Sequence, residues 1–342
     1  MDSLVFSMEG FSGVVMVADQ GQPVYHNAFG YRDFRTLAPM DTAAVFELAS
    51  VSKTFTAAAI LRLVQEGKIG LEDTVTHFIT GLPYEGITIR HLLNHTSGLP
   101  DYQAVMDQYW DKSKVAGNAD CIEYLIQYKP DPLFSPGERY AYSNTGYLLL
   151  ASIAEQVSGT EFTEYIREMI TQPLRMDKTQ FRTLQEKVAM PDFAWGFIPD
   201  EGGVQISADS FPSSNYTIWL GNRKGPGRIS STASDLLKWD RSWYTGHILN
   251  EKLITAAYQP ARLLSDSLTA YGFGWELREM NGRQMVGHSG NNPGYRTLLV
   301  RDIEANRTVI LLSNNSFESL DNLAAGLFSV LEKEAERFKR QW

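Results

Sequence analysis

Ser50-Val51-Ser52-Lys53, followed by a run that is apolar almost all round, constrains this chain more than anything else in it. From Thr54 to Gln65 the run holds Phe55, Ala57, Ala58, Ala59, Ile60, Leu61, Leu63 and Val64, with Arg62 the main interruption. A helix without a polar face has to be buried, so the fold must build core around this segment, and Gly67 is placed to cap its end. Residues three apart on a helix are neighbours, which puts the Lys53 amine beside the Ser50 hydroxyl. A serine hydroxyl is a poor nucleophile until a base stands next to it. Ser50 also falls at the helix N-terminus, where free backbone N–H groups and the positive dipole end favour developing negative charge. Spacing alone does not separate a nucleophile from a plain N-cap, since Ser-x-x-Lys is common by chance.

A chain of 342 residues can bury a full core, as one large domain or two closely packed ones. With 43% hydrophobic and 21% charged residues it has the composition of an ordinary soluble globular protein. Its net charge of −9 argues against a nucleic-acid partner, because no basic stripe offsets it. The single cysteine, Cys121, cannot form an intrachain disulfide and is expected as a partly buried small side chain. No Cys/His cluster has zinc spacing, so no metal and no cofactor is expected. No run reaches the length of an integral membrane span, and residues 1–30 lack a charged-then-apolar signal pattern. Strand character begins abruptly at Gly13, so either the natural chain starts this way or an export signal has been trimmed ahead of it.

Along the chain the order is strand, helix, strand. Gly13–Ala18 and Val24–Phe29 read as two strands joined through Asp19-Gln20-Gly21-Gln22. From about Thr88 to Trp243 helical periodicity dominates. Thr88 caps a short helix through Leu92 and Leu93, Thr145 to Gln156 is a second stopped by Ser158-Gly159, and Glu161 to Thr171 a third ended before Pro173. Thr232 and Asp235 read as a capping box for Leu236 to Trp243. Gly272–Met280 and Arg283–Gly287 flank Asn281-Gly282, a strong hairpin signal, and Tyr295–Arg301 and Thr308–Ser313 form a further pair. Leu320, Leu323, Leu327, Leu331 and Phe338 mark a closing amphipathic helix that covers one sheet face. The expected fold class is therefore α/β in the α+β sense: an antiparallel sheet built from both chain ends, flanked by helices, with a mostly helical insertion. The expected division is residues 1–86 and 226–342 for the discontinuous sheet domain and 87–225 for the helical one, with the active site between them.

Two further motifs carry chemistry. Tyr140-Ala141-Tyr142-Ser143-Asn144 follows a Ser135-Pro136-Gly137-Glu138 turn and precedes a helix. A tyrosine beside an ammonium can have its phenolate stabilised and serve as a base, and the Asn144 amide can bond substrate and lysine alike. Gly287-His288-Ser289-Gly290-Asn291 stands just past a predicted strand. Small residues there let a substrate lie against the backbone, whose N–H can join that of Ser50 in an oxyanion hole.

With Ser50-Val51-Ser52-Lys53, Tyr142-Ser143-Asn144 and His288-Ser289-Gly290 in that order, the chain resembles the serine β-lactamase and penicillin-binding-protein superfamily, most closely its class C and DD-peptidase-like branch. The flanks agree: Gly30-Tyr31, the stretch from Ile87 to Gly98, Pro136-Gly137-Glu138, Ser231 to Leu236 and Tyr271 to Trp275. The likeness runs over roughly residues 10 to 315. It implies that Ser50 attacks a carbonyl, that Tyr142 and Lys53 share the proton, and that water hydrolyses the acyl-enzyme. It further implies that the N–H groups of Ser50 and Asn291 hold the oxyanion and that Asn144, His288, Ser289 and Gly290 meet the substrate. The implied activity is that of a DD-peptidase, another D-residue peptidase or a carboxylesterase, with β-lactamase or a non-turnover penicillin- or peptide-binding sensor as alternatives. The implied substrate is a small molecule or peptide, such as a peptidoglycan-like peptide, an ester or a β-lactam. An extracytoplasmic location follows for cell-wall substrates, and the cytoplasm stays open.

His288 departs from the lysine that many β-lactamases carry at this place. A histidine is charged only near or below its pKa, so weaker recognition of anionic β-lactams is expected. His91 and His95 are four apart but lack a third ligand and a Glu base, so structural roles are expected for them. No Gly-x-Ser-x-Gly elbow occurs, which argues against an α/β-hydrolase triad. Tyr102, Tyr109, Trp110, Trp195, Trp219 and Trp275 are expected mainly in the core, with a few walling the cleft.

Overall fold

The computed structural model describes residues 1–340, with side chains through residue 334. Six antiparallel strands form the main sheet, in the spatial order Glu276–Met280, Arg283–Asn292, Tyr295–Asp302, Arg307–Ser313, Gly13–Asp19, Gln22–Phe29. Gly13 lies opposite Ser313, so the first strand is zipped to the last and the sheet joins both chain ends. Two tight turns set its registers. Gln20 and Gly21 (φ 50° and 75°) close the first hairpin, and Asn281 and Gly282 (φ 54° and 73°) close a late one. Both pairs adopt the left-handed conformation that two-residue hairpin loops require.

Strand side chains alternate between two cores, as a period of two dictates. Val14, Met16, Leu299, Ile310 and Leu312 face the cluster that contains the helix Ser52–Gln65. Val15, Val17, Leu298, Val300, Val309 and Leu311 face Leu320, Leu323, Leu327 and Leu331 of the terminal helix Leu320–Arg340. The expected amphipathic helix is therefore present, although the side chain of Phe338 lies outside the described residues. A short helix Asp2–Ser7, unforeseen in the sequence, adds Val5 to the same layer.

Between the chain ends lie the helices Tyr102–Tyr109, Asn118–Tyr128 and Asn144–Ser158. Several sequence expectations need correction. The late strand starts at Glu276, because Gly272 to Trp275 form a loop, with Gly274 at φ 77° pressed against the Ser50 helix. The next strand continues to Asn292, so the His288 motif lies within it and not beyond its end. The helix expected over Glu161–Thr171 splits into Phe162–Ile166 and a π-helical turn Arg167–Thr171. Thr232 caps its helix alone, since the Asp235 carboxylate accepts from Lys178 N–H and Thr179 Oγ1 instead. Cys121 is fully buried. Tyr109 is largely exposed and Trp110 and Trp195 half-buried, while Tyr102, Trp219 and Trp275 are core. A three-stranded sheet of Phe46–Glu47, Ile229–Ser231 and Gln180–Phe181 is also new; strands of two or three residues leave no periodic signal.

Helix Ala233–Thr245 locks the Ser50 helix to the sheet. Trp239 stacks on Phe55 with ring centroids 4.3 Å apart, and its Nε1 donates to Thr54 Oγ1 at 3.0 Å. One helical position on, Asp240 pairs with Arg301 of the sheet at 2.6 Å, both side chains being fully buried. Removing one partner of a buried pair strands the other charge, which typically costs about 3–5 kcal/mol. D240A is accordingly expected to lower unfolding free energy by about that amount in denaturant titrations, and D240L/R301M to recover most of the loss.

Candidate active site

Ser50 sits in a 3₁₀ turn, Ala49–Val51, that leads directly into helix Ser52–Gln65. Ala49 is held at φ 48°, a left-handed conformation for a residue with a side chain, and this kink presents the half-buried Ser50 to a cleft. Thr297 Oγ1 donates to the Leu48 carbonyl at 2.7 Å and ties the turn to the sheet. Gly290 explains itself here: a Cβ would collide with that same carbonyl oxygen and stand 3.2 Å from Ala49 Cβ. Only glycine lets the strand press against the residues ahead of Ser50.

Lys53 is wholly buried. Its Nζ lies 3.1 Å from Ser50 Oγ, 2.9 Å from Asn144 Oδ1 and 2.8 Å from the Pro226 carbonyl oxygen. Burial drives its pKa well below the ordinary amine range, the nearby Arg223 charge adds to this, and Glu276 opposes it. Nζ also lies 4.7 Å from the centroid of the Tyr142 ring. Ser50 and Lys53 from one stretch of the chain and Tyr142 and Asn144 from another, about ninety residues on, thus meet at one point. Tyr142 is 42% exposed along the cleft wall, yet protein crowds its phenol end and raises its pKa, an effect the neighbouring Ser50 hydroxyl only partly offsets. The surroundings therefore favour a neutral phenol, where the sequence suggested a stabilised phenolate.

The edge strand Glu276–Met280 reaches only Gly287 of its neighbour, so the backbone of His288 to Asn291 has no strand partner on that side. Ser289 is half-buried there and donates to Glu276 Oε1 at 2.9 Å. Asn291 is exposed, its Oδ1 accepting from Arg296 at 2.5 Å. His288 turns inward and is fully buried. The Ser289 carbonyl can only accept, so His288 Nδ1 carries the proton at 2.6 Å from it. Nε2 then accepts from the Tyr271 hydroxyl at 2.7 Å. Burial lowers the His288 pKa to about 4 despite Glu276 Oε1 standing 3.7 Å from Nδ1. His288 is thus a neutral supporting side chain rather than a cation facing the cleft.

Sequence reasoning gave no role to Tyr271, Glu276 or Arg223, which carry no local spacing signal. It expected a structural role for His95, and that role is specific. His95 Nδ1 accepts from Ser143 N–H at 3.0 Å, leaving a protonated Nε2 with no partner among the described residues, and the imidazole centroid lies 4.3, 4.5 and 5.0 Å from the ring centroids of Tyr142, Tyr271 and Tyr147. His91 completes the cap at Thr88. Among the described residues no group of three or more His, Cys, Asp or Glu is placed to hold a metal.

A serine hydrolase of the β-lactamase and penicillin-binding-protein class is what this fold defines. The family model described as Beta-lactamase matches residues 4–330, and the chain belongs to that family. It is 38% identical over 309 residues to penicillin-binding protein 4* of Bacillus subtilis (strain 168), covering 89% of this chain and 68% of that protein. It is 27% identical over 288 residues to a D-aminopeptidase of Brucella anthropi; that match covers 84% of this chain and 53% of the relative, about half its length. The structure of the octameric penicillin-binding protein homologue from Pyrococcus abyssi matches with a TM-score of 0.83 and 28% identity, covering 97% of this chain and 76% of that one.

A histidine held neutral by burial couples folding to pH. With the folded pKa near 4 and the ordinary value at 6.5, the unfolded chain binds the proton more readily between these limits. Stability should thus fall as pH drops from 6.5 to 4, by about 3 kcal/mol from His288 alone. Denaturant titrations at pH 7 and pH 4.5 check this, and H288Q should show a shallower fall.

Proposed function

We propose that this chain hydrolyses amide or ester bonds through an acyl-enzyme on Ser50, with peptides carrying D-residues as its principal substrates. The observation that supports this most is the hydrogen-bond arithmetic at Lys53. Pro226 O and Asn144 Oδ1 can only accept, so a neutral amine donates to both and keeps its lone pair for the Ser50 hydroxyl. The ammonium that results can donate to all three. The pocket therefore suits both protonation states, as a base must.

In this reading Ser50 Oγ–H passes its proton to Lys53 Nζ as Oγ attacks the carbonyl carbon. The carbonyl oxygen becomes an oxyanion that accepts from the backbone N–H groups of Ser50 and Asn291. The neutral Tyr142 phenol protonates the departing amine or alkoxide as the C–N or C–O bond breaks, and Lys53 returns a proton to Tyr142. Water gives a proton to the same pair as it attacks the ester carbonyl; the acyl–Oγ bond then breaks, the pair passes that proton to Ser50 Oγ, and the carboxylic acid product departs. Asn144 orients both Lys53 and substrate, while the open strand edge at Ser289, Gly290 and Asn291 receives the substrate backbone. The cleft lies between the sheet-bearing part, 1–86 and 226–342, and the helical part, 87–225.

The D-aminopeptidase relative supports D-residue peptides as the substrate class. Carboxylesterase activity follows from the same acylation with an easier leaving group. β-Lactam hydrolysis ranks lower, because a buried neutral His288 offers no cation to a β-lactam carboxylate. A cell-wall peptide substrate would place the protein outside the cytoplasmic membrane; among the described residues no helix is long and apolar enough to cross one.

Fluorophosphonate labelling of intact protein, with p-nitrophenyl esters, nitrocefin and a D-Ala-D-Ala peptide as substrates, tests the reading. S50A should lose all labelling; an adduct at another serine refutes the assignment, and a stoichiometric burst without turnover favours a sensor. K53R, permanently charged, should lower kcat/KM by about 10²–10⁴-fold. In the wild-type protein kcat/KM should fall as pH drops through a lysine pKa far below the free-amine range, since protonation removes the base. A profile flat from pH 5 to 9 is the contrary result.

A further inference from the structure

Arg223 has no part in the steps above, yet it borders the nucleophile. Ser50, Asn144, Gln103, Tyr216, Asn292 and Arg223 border one space of about 70 Å³. Arg223 is only 7% exposed. Nη1 donates to the Tyr102 hydroxyl at 2.8 Å, the guanidinium lies 5.3 Å from the Tyr216 ring centroid, and Nε is buried without a partner. No carboxylate pairs with Arg223 among the described residues, and Tyr102 is a neutral phenol with its pKa pushed up to about 12 by burial. The cations around it, Lys53 and Arg228, are both penalised by its charge.

The same molecule shows what a structural buried arginine looks like. Arg301, fully buried, has Asp240 as counter-ion. A guanidinium taken out of water without one is costly, so its place beside a catalytic cleft calls for an anion that arrives from outside. The planar fork of arginine matches a carboxylate and binds it in bidentate fashion.

Geometry also says which half of the substrate brings the anion. The leaving group must lie against Tyr142, its proton donor. Tyr142 does not border the space at Arg223; its phenol groups with His95, Tyr271 and His288. The acyl half therefore extends from Ser50 past Asn144 toward Arg223. Asn292 borders both this space and a larger cavity of about 500 Å³, which carries Arg182, Lys187 and Arg228 against Glu47 and Asp209, so a bulky acyl chain has room to continue.

We infer that Arg223 is a substrate-binding residue that takes a carboxylate on the acyl side of the scissile bond, making acidic N-acyl D-residue peptides the preferred substrates. The inference rests on the hydrolase reading for its orientation but not for its test. Binding of N-succinyl-D-alanine p-nitroanilide and its neutral N-acetyl counterpart is measured by calorimetry on S50A, which cannot turn them over. The succinyl compound should bind about 10- to 100-fold more tightly, the range of one charge-assisted bidentate contact. S50A/R223Q should bring the two affinities together. Should that variant not fold, S50A/R223K, which keeps the charge and loses the fork, is read instead: a preference cut about threefold or more supports the anchor. Equal affinities in S50A, or a preference unchanged by the Arg223 substitution, overturn it. Loss of Ser50 labelling in otherwise wild-type protein would sink the hydrolase reading while leaving a succinyl preference, and hence the anchor, standing.

Discussion

The rest of the site depends on one fully buried amine. Lys53 comes from the first turn of a helix that has no polar face, so burying that helix buries the amine with it. Its acceptors come from elsewhere: the Pro226 carbonyl and the Asn144 side chain, with the Tyr142 ring beside them. Desolvation lowers its proton affinity, and the two acceptors hold Nζ within 3.1 Å of Ser50 Oγ. The same packing that stabilises the core thus lowers the proton affinity of this amine.

Three buried cations in this protein illustrate how context divides one physical cost into different outcomes. Arg301 is neutralised by Asp240 and joins sheet to helix. Lys53 meets the cost through a pKa that burial drives well below the ordinary amine range. Arg223 has neither recourse, since a guanidinium does not titrate in the accessible range and no carboxylate among the described residues pairs with it. Histidines make the complementary case. His288 and His95 are kept neutral by burial, and each spends one ring nitrogen on a backbone group and turns the other toward the aromatic cluster around Tyr142. That cluster surrounds the Tyr142 phenol without supplying charge of its own.

Much of the frame was legible in the residues. The hairpins at Gln20-Gly21 and Asn281-Gly282 need left-handed backbone that these residue types favour, and both lie where expected. The helices after Thr88, Ser143 and Thr232 start at side chains that accept from the first turn. Strand ends were less legible. Gly272 to Trp275 look apolar enough for a strand, but Gly274 must pass close to Ala57 and the chain cannot pair there. The strand through His288 runs on past Gly287 because its other neighbour, Tyr295–Asp302, continues to support it.

Sequence by itself determined the local pieces: which helix is buried, which residues stand one turn apart, where the chain reverses, and that a hydroxyl, an amine, a phenol and an amide occur in family order. Those follow from period, capping and turn chemistry, which act over a few residues. Only the tertiary structure decided that Lys53 is fully buried, that the surroundings of Tyr142 favour a phenol over a phenolate, that His288 turns inward as a neutral side chain, and that no carboxylate among the described residues pairs with Arg223. Each of these is a matter of desolvation and of partners more than forty residues away or reached only by the fold of a loop. The free energy of a charge depends on what surrounds it in space, and no spacing rule along a chain encodes that.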